Sequence, residues 1–427
     1  MVPSSLPAVN PVVTTAIETL KKLSKVQAAL TLAESEVDRA MAEQVELCEI
    51  PSPTFEEEER AASLVSRMKA YGLADVSIDA IGNVVGKRPG RLSKAGLSAP
   101  LLVFAAHTDS VFPAGTDVKV KKEGNIYRAP GIGDNCSGLR AMLQVLRCLE
   151  ANQIETEGDI WFIGTVGEEG NGDIRGSKFV TANYPIDGFI AIDSSDVTRL
   201  LYGGVGAHRW RLSVDGPAGH SFADFAKAPS AIHAVCLAGA TVAKIKVPKE
   251  PKTTFTIGKI SGGQSVNTIA GHCEVDIDMR SADNDELLKV EAAILGAFEA
   301  GVAEENAIWG ITDEAKKVKL TKKQIGNRPA GARPLDCPVL QCARAAQSAL
   351  GIPLKGYELS STDANAPISR GIPGACISAG GIGVGAHTLH EYFEMKDTHL
   401  GPQLILLTAL ALVGTEGHAP LLPVREK

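Results

Sequence analysis

The chain has 427 residues, 44% of them hydrophobic and 22% charged, with a formal net charge of -7. That length exceeds one ordinary core and predicts two domains, while the acidic balance excludes a nucleic-acid footprint. No run approaches the roughly 18 apolar residues that a membrane span needs.

The opening MVPSSLPAVNPVVTT has neither the basic start nor the apolar stretch of a secretory signal. The 8 cysteines are scattered, with no Cys-x-x-Cys pair. Buried free thiols in a cytoplasmic protein are the expectation.

From Thr15 to Cys48 apolar residues recur at three and four among Lys, Glu and Gln, which predicts a helical tract with a packing role only. Asp75 to Gly86 reads as a hairpin around Ile81-Gly82-Asn83. Leu101 to Ala106, Asp159 to Val166 and Gly188 to Ile192 read as buried strands, with helices over Ser137 to Glu150 and Ile174 to Thr181. Apolar strands alternating with helices predict an α/β domain, its mainly parallel sheet covered by helices on both faces.

The texture changes at Gly203-Gly204-Val205-Gly206. Alternating strands follow at His208 to Val214, Thr253 to Lys259 and His272 to Arg280, with helices over Pro229 to Ile245 and Asn284 to Ala300. This block, 206–327, predicts an inserted α+β, ferredoxin-like domain. The α/β pattern resumes after Gly326-Asn327-Arg328-Pro329, with a helix from Pro338 to Ala349, a strand at Gly374 to Ser378 and a last helix from Pro402 to Gly414. The larger domain is therefore discontinuous, 1–205 with 328–427.

Ligands of open α/β sheets gather at the carboxyl ends of the strands, and those ends carry metal-type side chains. LLVFAAHTDS ends in His107 and Asp109, APGIGDNCSG holds Asp134, and DIWFIGTVGEEG delivers Glu168 and Glu169. GFIAIDSSD delivers Asp193, and SAGGIGVGAHTLHEY delivers His387 and His390. Each residue has a commoner role taken singly: Asp134 as a helix cap, Glu168-Glu169 as a solvated turn, Asp193 as a turn cap, each His as a loop residue. As a set, two His and three carboxylates with a spare Glu match a two-metal hydrolase. Nitrogen and carboxylate donors without thiolates suit zinc, with manganese or cobalt as substitutes. Two such ions about 3.5–4 Å apart can activate one water and clamp a carbonyl.

His107-Thr108-Asp109, Gly133-Asp134-Asn135, Gly167-Glu168-Glu169-Gly170, Asp193 and the late His-x-x-x-Glu-Tyr resemble the dizinc metallopeptidases that include peptidase T, glutamate carboxypeptidase, acetylornithine deacetylase and succinyl-diaminopimelate desuccinylase. The resemblance implies two zinc ions per subunit: His107 and Asp193 on one, Glu169 and His387 on the other, Asp134 bridging. Glu168 would be the general base and Asp109 would orient the His107 ring. His387, four residues before Glu391, fits the last ligand better than His390. The family pattern also makes Asp134–Asn135 a candidate cis peptide.

In the inserted block, VDGPAGHSFADF resembles the family's lid segment, so His220 is implied to polarise the substrate carbonyl in a partner subunit. Asn267 and Arg280 match substrate-contacting positions, with Arg280 suited to a carboxylate or to an ordinary surface ion pair. Gly380 and Gly381 lie where backbone would approach substrate. STDANAP, residues 361–367, also resembles a catalytic-domain segment, without an assigned role. The expected function is zinc-dependent cleavage of amide bonds in short peptides, in a homodimer paired through the inserted lid domain. The alternative is a deacylase or carbamoylase acting on N-acyl or N-carbamoyl amino acids.

Overall fold

The computed structural model describes residues 8–425, so the first residues of the opening segment lie outside it. The chain divides into two compact units, one of the residues up to Gly204 together with those from Ala332 onward, the other Val205–Gly331. Among the described residues no helix is long and apolar enough to cross a membrane.

The first unit is built on a mixed sheet. Its strands lie in the order Asp75–Ile78, Val84–Arg88, Asp159–Thr165, Leu101–His107, Gly188–Ile192, Gly374–Ile377 and Arg199–Gly204, with Gly356–Ser360 paired to the last. The four strands from Asp159–Thr165 to Gly374–Ile377 run parallel. Their side chains alternate between two cores. Leu102, Phe104 and Ala106 face one cluster with the helices Cys136–Ala151 and Leu400–Val413. Leu101, Val103 and Ala105 face another, with Val180 of the helix Arg175–Asn183 and Ile368 of Asn365–Ser369. Helices therefore cover both faces, and the strands read as unbroken apolar runs because neither face meets water.

The predicted N-terminal tract is three helices, Pro11–Lys22, Ser24–Ser35 and Val37–Cys48. Asn10 caps the first by accepting the Val12 N–H at 2.9 Å. Leu23 is extended between the first two and interrupts the helical path. Val13, Ile17 and Leu20 form the buried stripe of the first helix, and they join the core that holds Leu404, Leu407 and Leu340. The N-terminal segment thus forms an outer layer over the sheet-covering helices.

Two pairs of short strands escape the sequence pattern. Ile382–Val384, Tyr392–Glu394, Ile126–Arg128 and Lys121–Glu123 make a small antiparallel sheet. The loop between its first two strands carries residues 385–391.

The second unit has a four-stranded antiparallel sheet in the order Thr253–Gly262, His272–Ser281, Gly206–Asp215, Lys319–Arg328. The helices Ala231–Val242 and Asn284–Ile308 pack on one face through Leu212, Val275, Ile277, Ala234, Ile294 and Phe298. Chain order and strand order together are those of a ferredoxin-like sandwich. On the other face Arg209, Arg211, Asp276 and Asp278 form cross-strand ion pairs at 2.8–2.9 Å, as the register Asp276↔Arg211 and Asp278↔Arg209 requires.

Every residue from Gly401 to Val413 is buried, so the last helix is core on all sides rather than amphipathic. Leu406→Ala is expected to cost about 2–5 kcal/mol, read as a lower urea midpoint. A change below about 0.5 kcal/mol, the range of ordinary surface substitutions, would show that this helix is not core.

Candidate metal centre

The carboxyl ends of the parallel strands bring the predicted ligands together. His107 ends its strand opposite Thr165, and Asp193 follows the strand end at Ile192. After Thr165 the chain turns through Gly167, left-handed at φ 61°, into Glu168 and Glu169. Asp134 sits in the turn before the helix Cys136–Ala151, and its peptide bond to Asn135 is cis. Asn135 caps that helix by accepting the Gly138 N–H at 3.1 Å and donates to the Ile192 carbonyl at 2.9 Å. That bond ties the Asp134 turn to the strand end that delivers Asp193.

Asp134 is the meeting point. Its Oδ1 lies 3.1 Å from His107 Nε2 and its Oδ2 lies 3.0 Å from His387 Nε2. His387 Nε2 is also 3.0 Å from Glu169 Oε1. Donor atoms of His107, Asp134 and Glu169 all fall within 4.8 Å of one another. His387 occupies a left-handed backbone position, φ 66°, in the loop between the strands Ile382–Val384 and Tyr392–Glu394. His390 is not in this cluster; it lines a separate cavity with Lys119, Lys121 and Arg128.

Asp109 is buried and holds more than a ring. His107 Nδ1 lies 3.0 Å from its backbone oxygen and 3.5 Å from its Oδ1. Its carboxylate accepts the backbone N–H of Glu168 at 2.9 Å and of Glu169 at 3.0 Å, and the Thr54 hydroxyl at 2.8 Å. Arg60, also buried, donates to the Thr108 carbonyl at 2.8 Å and the Ile50 carbonyl at 2.6 Å, which braces the same loop. Asp363, from the segment left without a role, is buried and accepts the Thr165 hydroxyl at 2.5 Å.

The electrostatics of the cluster fit a cation. Burial pushes Asp193 up, the charge of Asp134 adds to this, and its carboxyl reaches about 7. Hydrogen bonds to Asp134 and Glu169 raise His387 to about 10. Burial opposes protonation of His107, but the hydrogen bonds to Asp109 and Asp134 outweigh it and lift the ring well above the usual imidazole range. Converging carboxylates thus favour positive charge, and the imidazole and carboxylate donors of His107, Asp134 and Glu169 could hold a metal ion. A cavity of about 210 Å³ opens onto Asp134 and Asp193 beside Ser194 and Ser195.

Glu391 is the residue that sequence reasoning missed. It served there only as a spacing mark for His387. Its buried carboxylate accepts the backbone N–H groups of Gly131 at 2.7 Å, Gly133 at 2.8 Å and Asp134 at 2.9 Å. Thr54 and Arg60 were missed as well, since neither lies at a strand end.

The remaining candidates are not among the clustered donor atoms. Gly380 and Gly381 adopt φ 80° and 93°. A Cβ on the first would come 2.7 Å from the Thr398 carbonyl oxygen, and one on the second 2.1 Å from the Phe393 ring. Packing within the chain therefore requires both glycines.

In the second unit Gly219–His220 pairs with Thr268–Ile269. The exposed His220 accepts the N–H groups of Phe222 and Ala223 on Nδ1, at 3.2 and 3.3 Å. In the neutral ring the hydrogen then sits on Nε2, which makes that atom a donor. Asn267 accepts the Ser221 N–H at 3.0 Å on its backbone oxygen, so it shares that strip with His220. Arg280 joins the ion-pair face through Asp278 at 2.8 Å.

An α/β sheet with a carboxylate and imidazole cluster at its strand ends, joined to a ferredoxin-like unit, defines a class of metal-dependent hydrolases. The chain belongs to Peptidase family M20/M25/M40, whose model matches residues 103–411. It is 26% identical to the succinyl-diaminopimelate desuccinylase of Nitrosospira multiformis, over 75% of this chain and 85% of that one. A shorter match, 34% identical over 125 residues, spans 29% of this chain and 32% of a Pyrococcus abyssi protein provisionally named a LysW-lysine/LysW-ornithine hydrolase. Among solved structures, a tripeptidase from Staphylococcus aureus is similar with a TM-score of 0.68 and 23% identity, over 87% of this chain and 97% of that one. At that identity the likeness shows the shared fold. The chain is accordingly a hydrolase of this metallopeptidase family.

The crowding of Asp193 against Asp134 predicts opposite effects on stability and on metal uptake. Asp193→Asn is expected to stabilise the metal-free protein by about 1–2 kcal/mol near neutral pH, seen as a higher melting temperature in chelator. Its metal content should fall. Destabilisation of the metal-free protein would contradict this account of the site.

Proposed function

We propose that this chain cleaves amide bonds in short peptides with two divalent ions bound per subunit. The observation that carries the reading is Asp134, whose two oxygens face His107 and His387 separately. His107 and Asp193 would hold one ion, Glu169 and His387 the other, and Asp134 both; zinc suits these donors, with manganese or cobalt as substitutes. Bound there, the ions would acidify the attacking water and polarise the amide carbonyl.

The chain's own residues do the rest. Asp109 donates no proton; it fixes the His107 ring so that Nε2 faces the cluster, and it fixes the backbone of the Glu168-Glu169 turn. Glu168 takes the water's proton and delivers it to the leaving nitrogen. His220 donates from Nε2 to the oxyanion in the site of a second copy, the dimer pairing through the unit Val205–Gly331. Asn267 and Arg280 contact the substrate, Arg280 through a carboxylate after exchanging its bond to Asp278. Gly380 and Gly381 shape the substrate side of the cluster.

The sequence relationship to a desuccinylase favours a second reading, release of an amino acid from an N-acyl derivative. A panel of short peptides and N-acyl and N-carbamoyl amino acids, with added zinc, manganese or cobalt, separates the two. Peptide turnover is expected, and turnover of acylated amino acids alone would replace the first reading with the second.

Glu168→Gln should lower kcat about 10²–10⁴-fold with the metal content unchanged. Hydrolysis surviving at near the native rate would remove Glu168 from the mechanism. Mixing inactive Glu168→Ala and His220→Ala proteins should restore activity through hybrid dimers. No recovery after subunit exchange would place His220 in its own subunit's site or outside the chemistry.

A further inference from the structure

The geometry points to Glu391 as a positioning residue, a carboxylate that clamps the turn of Asp134 to the loop of His387 and so sets the affinity of the metal centre. This rests on the reading of Asp134 and His387 as ligands. Glu391 is 2% exposed, and both of its oxygens are occupied by backbone donors. Oε2 accepts the Gly131 N–H at 2.7 Å, and Oε1 accepts those of Gly133 at 2.8 Å and Asp134 at 2.9 Å. A carboxylate so satisfied is not free to bind an ion. It holds the backbone of the residue that does.

The other end of the clamp is equally short. His387 and Glu391 are joined by a compact loop, in which the Thr388 N–H and hydroxyl both bond the Gly385 carbonyl, at 3.1 and 2.7 Å. The Glu391 N–H bonds the Thr388 carbonyl at 3.2 Å. One loop therefore presents a ligand at one end and grips the opposing ligand's turn at the other. The turn accommodates the grip with small residues. Gly131 is left-handed at φ 79°, and a Cβ on Gly133 would come 3.0 Å from Glu391 Oε1. Three hydrogen bonds to a buried charge are stronger than neutral ones and fix the turn in one position. Partners that orient ligands commonly change metal affinity 10–100-fold when replaced.

Glu391→Gln is the direct test, because it keeps the shape and turns one acceptor oxygen into an NH₂ donor. Donor then faces donor, either at Gly131 or at Gly133 and Asp134. Competition with a chromophoric zinc chelator should show affinity about 10–100-fold below native. The visible absorption of the cobalt-substituted protein should change, and saturating metal should restore turnover. A purely structural role would lower the melting temperature and leave affinity and cobalt spectrum native; that result overturns the proposal. Should Glu391→Gln not fold, Gly133→Ala crowds the same carboxylate from the other partner and should weaken metal binding in the same assay. Native affinity in that variant also counts against the clamp. If the native protein itself binds no metal, the ligand assignment fails, and the clamp falls with it.

Discussion

A carboxylate cannot be buried among strands unless something neutralises it or bonds it, and Asp109 is buried beside the end of the central strand. Its needs are met by the His107 ring, the Thr54 hydroxyl and the N–H groups of Glu168 and Glu169. The proton-bearing side of His107 is turned to Asp109, which leaves Nε2 for the cluster. The Glu168-Glu169 turn is held by both oxygens of Asp109, one on each backbone N–H. Satisfying one buried charge thus fixes the His107 ring and the backbone of the Glu168-Glu169 turn together.

The sheet explains why this happens at one edge. Four parallel strands end together, and their apolar bodies are spent on two cores, so polar side chains can emerge only beyond the last pleat. His107, Glu168, Glu169 and Asp193 all emerge there. Asp134 comes from the turn into the helix Cys136–Ala151, which Asn135 ties to the end of the neighbouring strand. The loop of His387 is supplied by the small antiparallel sheet, whose strands lie far apart in sequence. The site is therefore assembled from elements separated by hundreds of residues, and Asp134 is where they meet.

Much of this was legible in the chain because both-face burial produces unbroken apolar runs, and a His or acid ending such a run stands out. The ferredoxin-like unit was legible for the complementary reason: its sheet has one wet face, so its strands alternate. Glu391 was illegible because three backbone N–H groups leave no mark in a sequence, and Thr54 and Arg60 because neither ends a strand. Lys121–Glu123 and Ile382–Val384 are three-residue strands with exposed side chains and show no periodicity. The division of the N-terminal tract at Leu23 carries no glycine or proline signal. The close approaches of Thr398 to Gly380 and of Phe393 to Gly381 join residues too far apart in sequence to be read from it.

The central claim is that Asp134 joins two metal sites at the strand ends. Anomalous diffraction from crystals of the zinc-loaded protein, collected on both sides of the zinc edge, tests it most directly. The account predicts two peaks, one bonded to His107 and Asp193, the other to Glu169 and His387, both within bonding distance of Asp134. A single peak, or a pair that does not share Asp134, would contradict it.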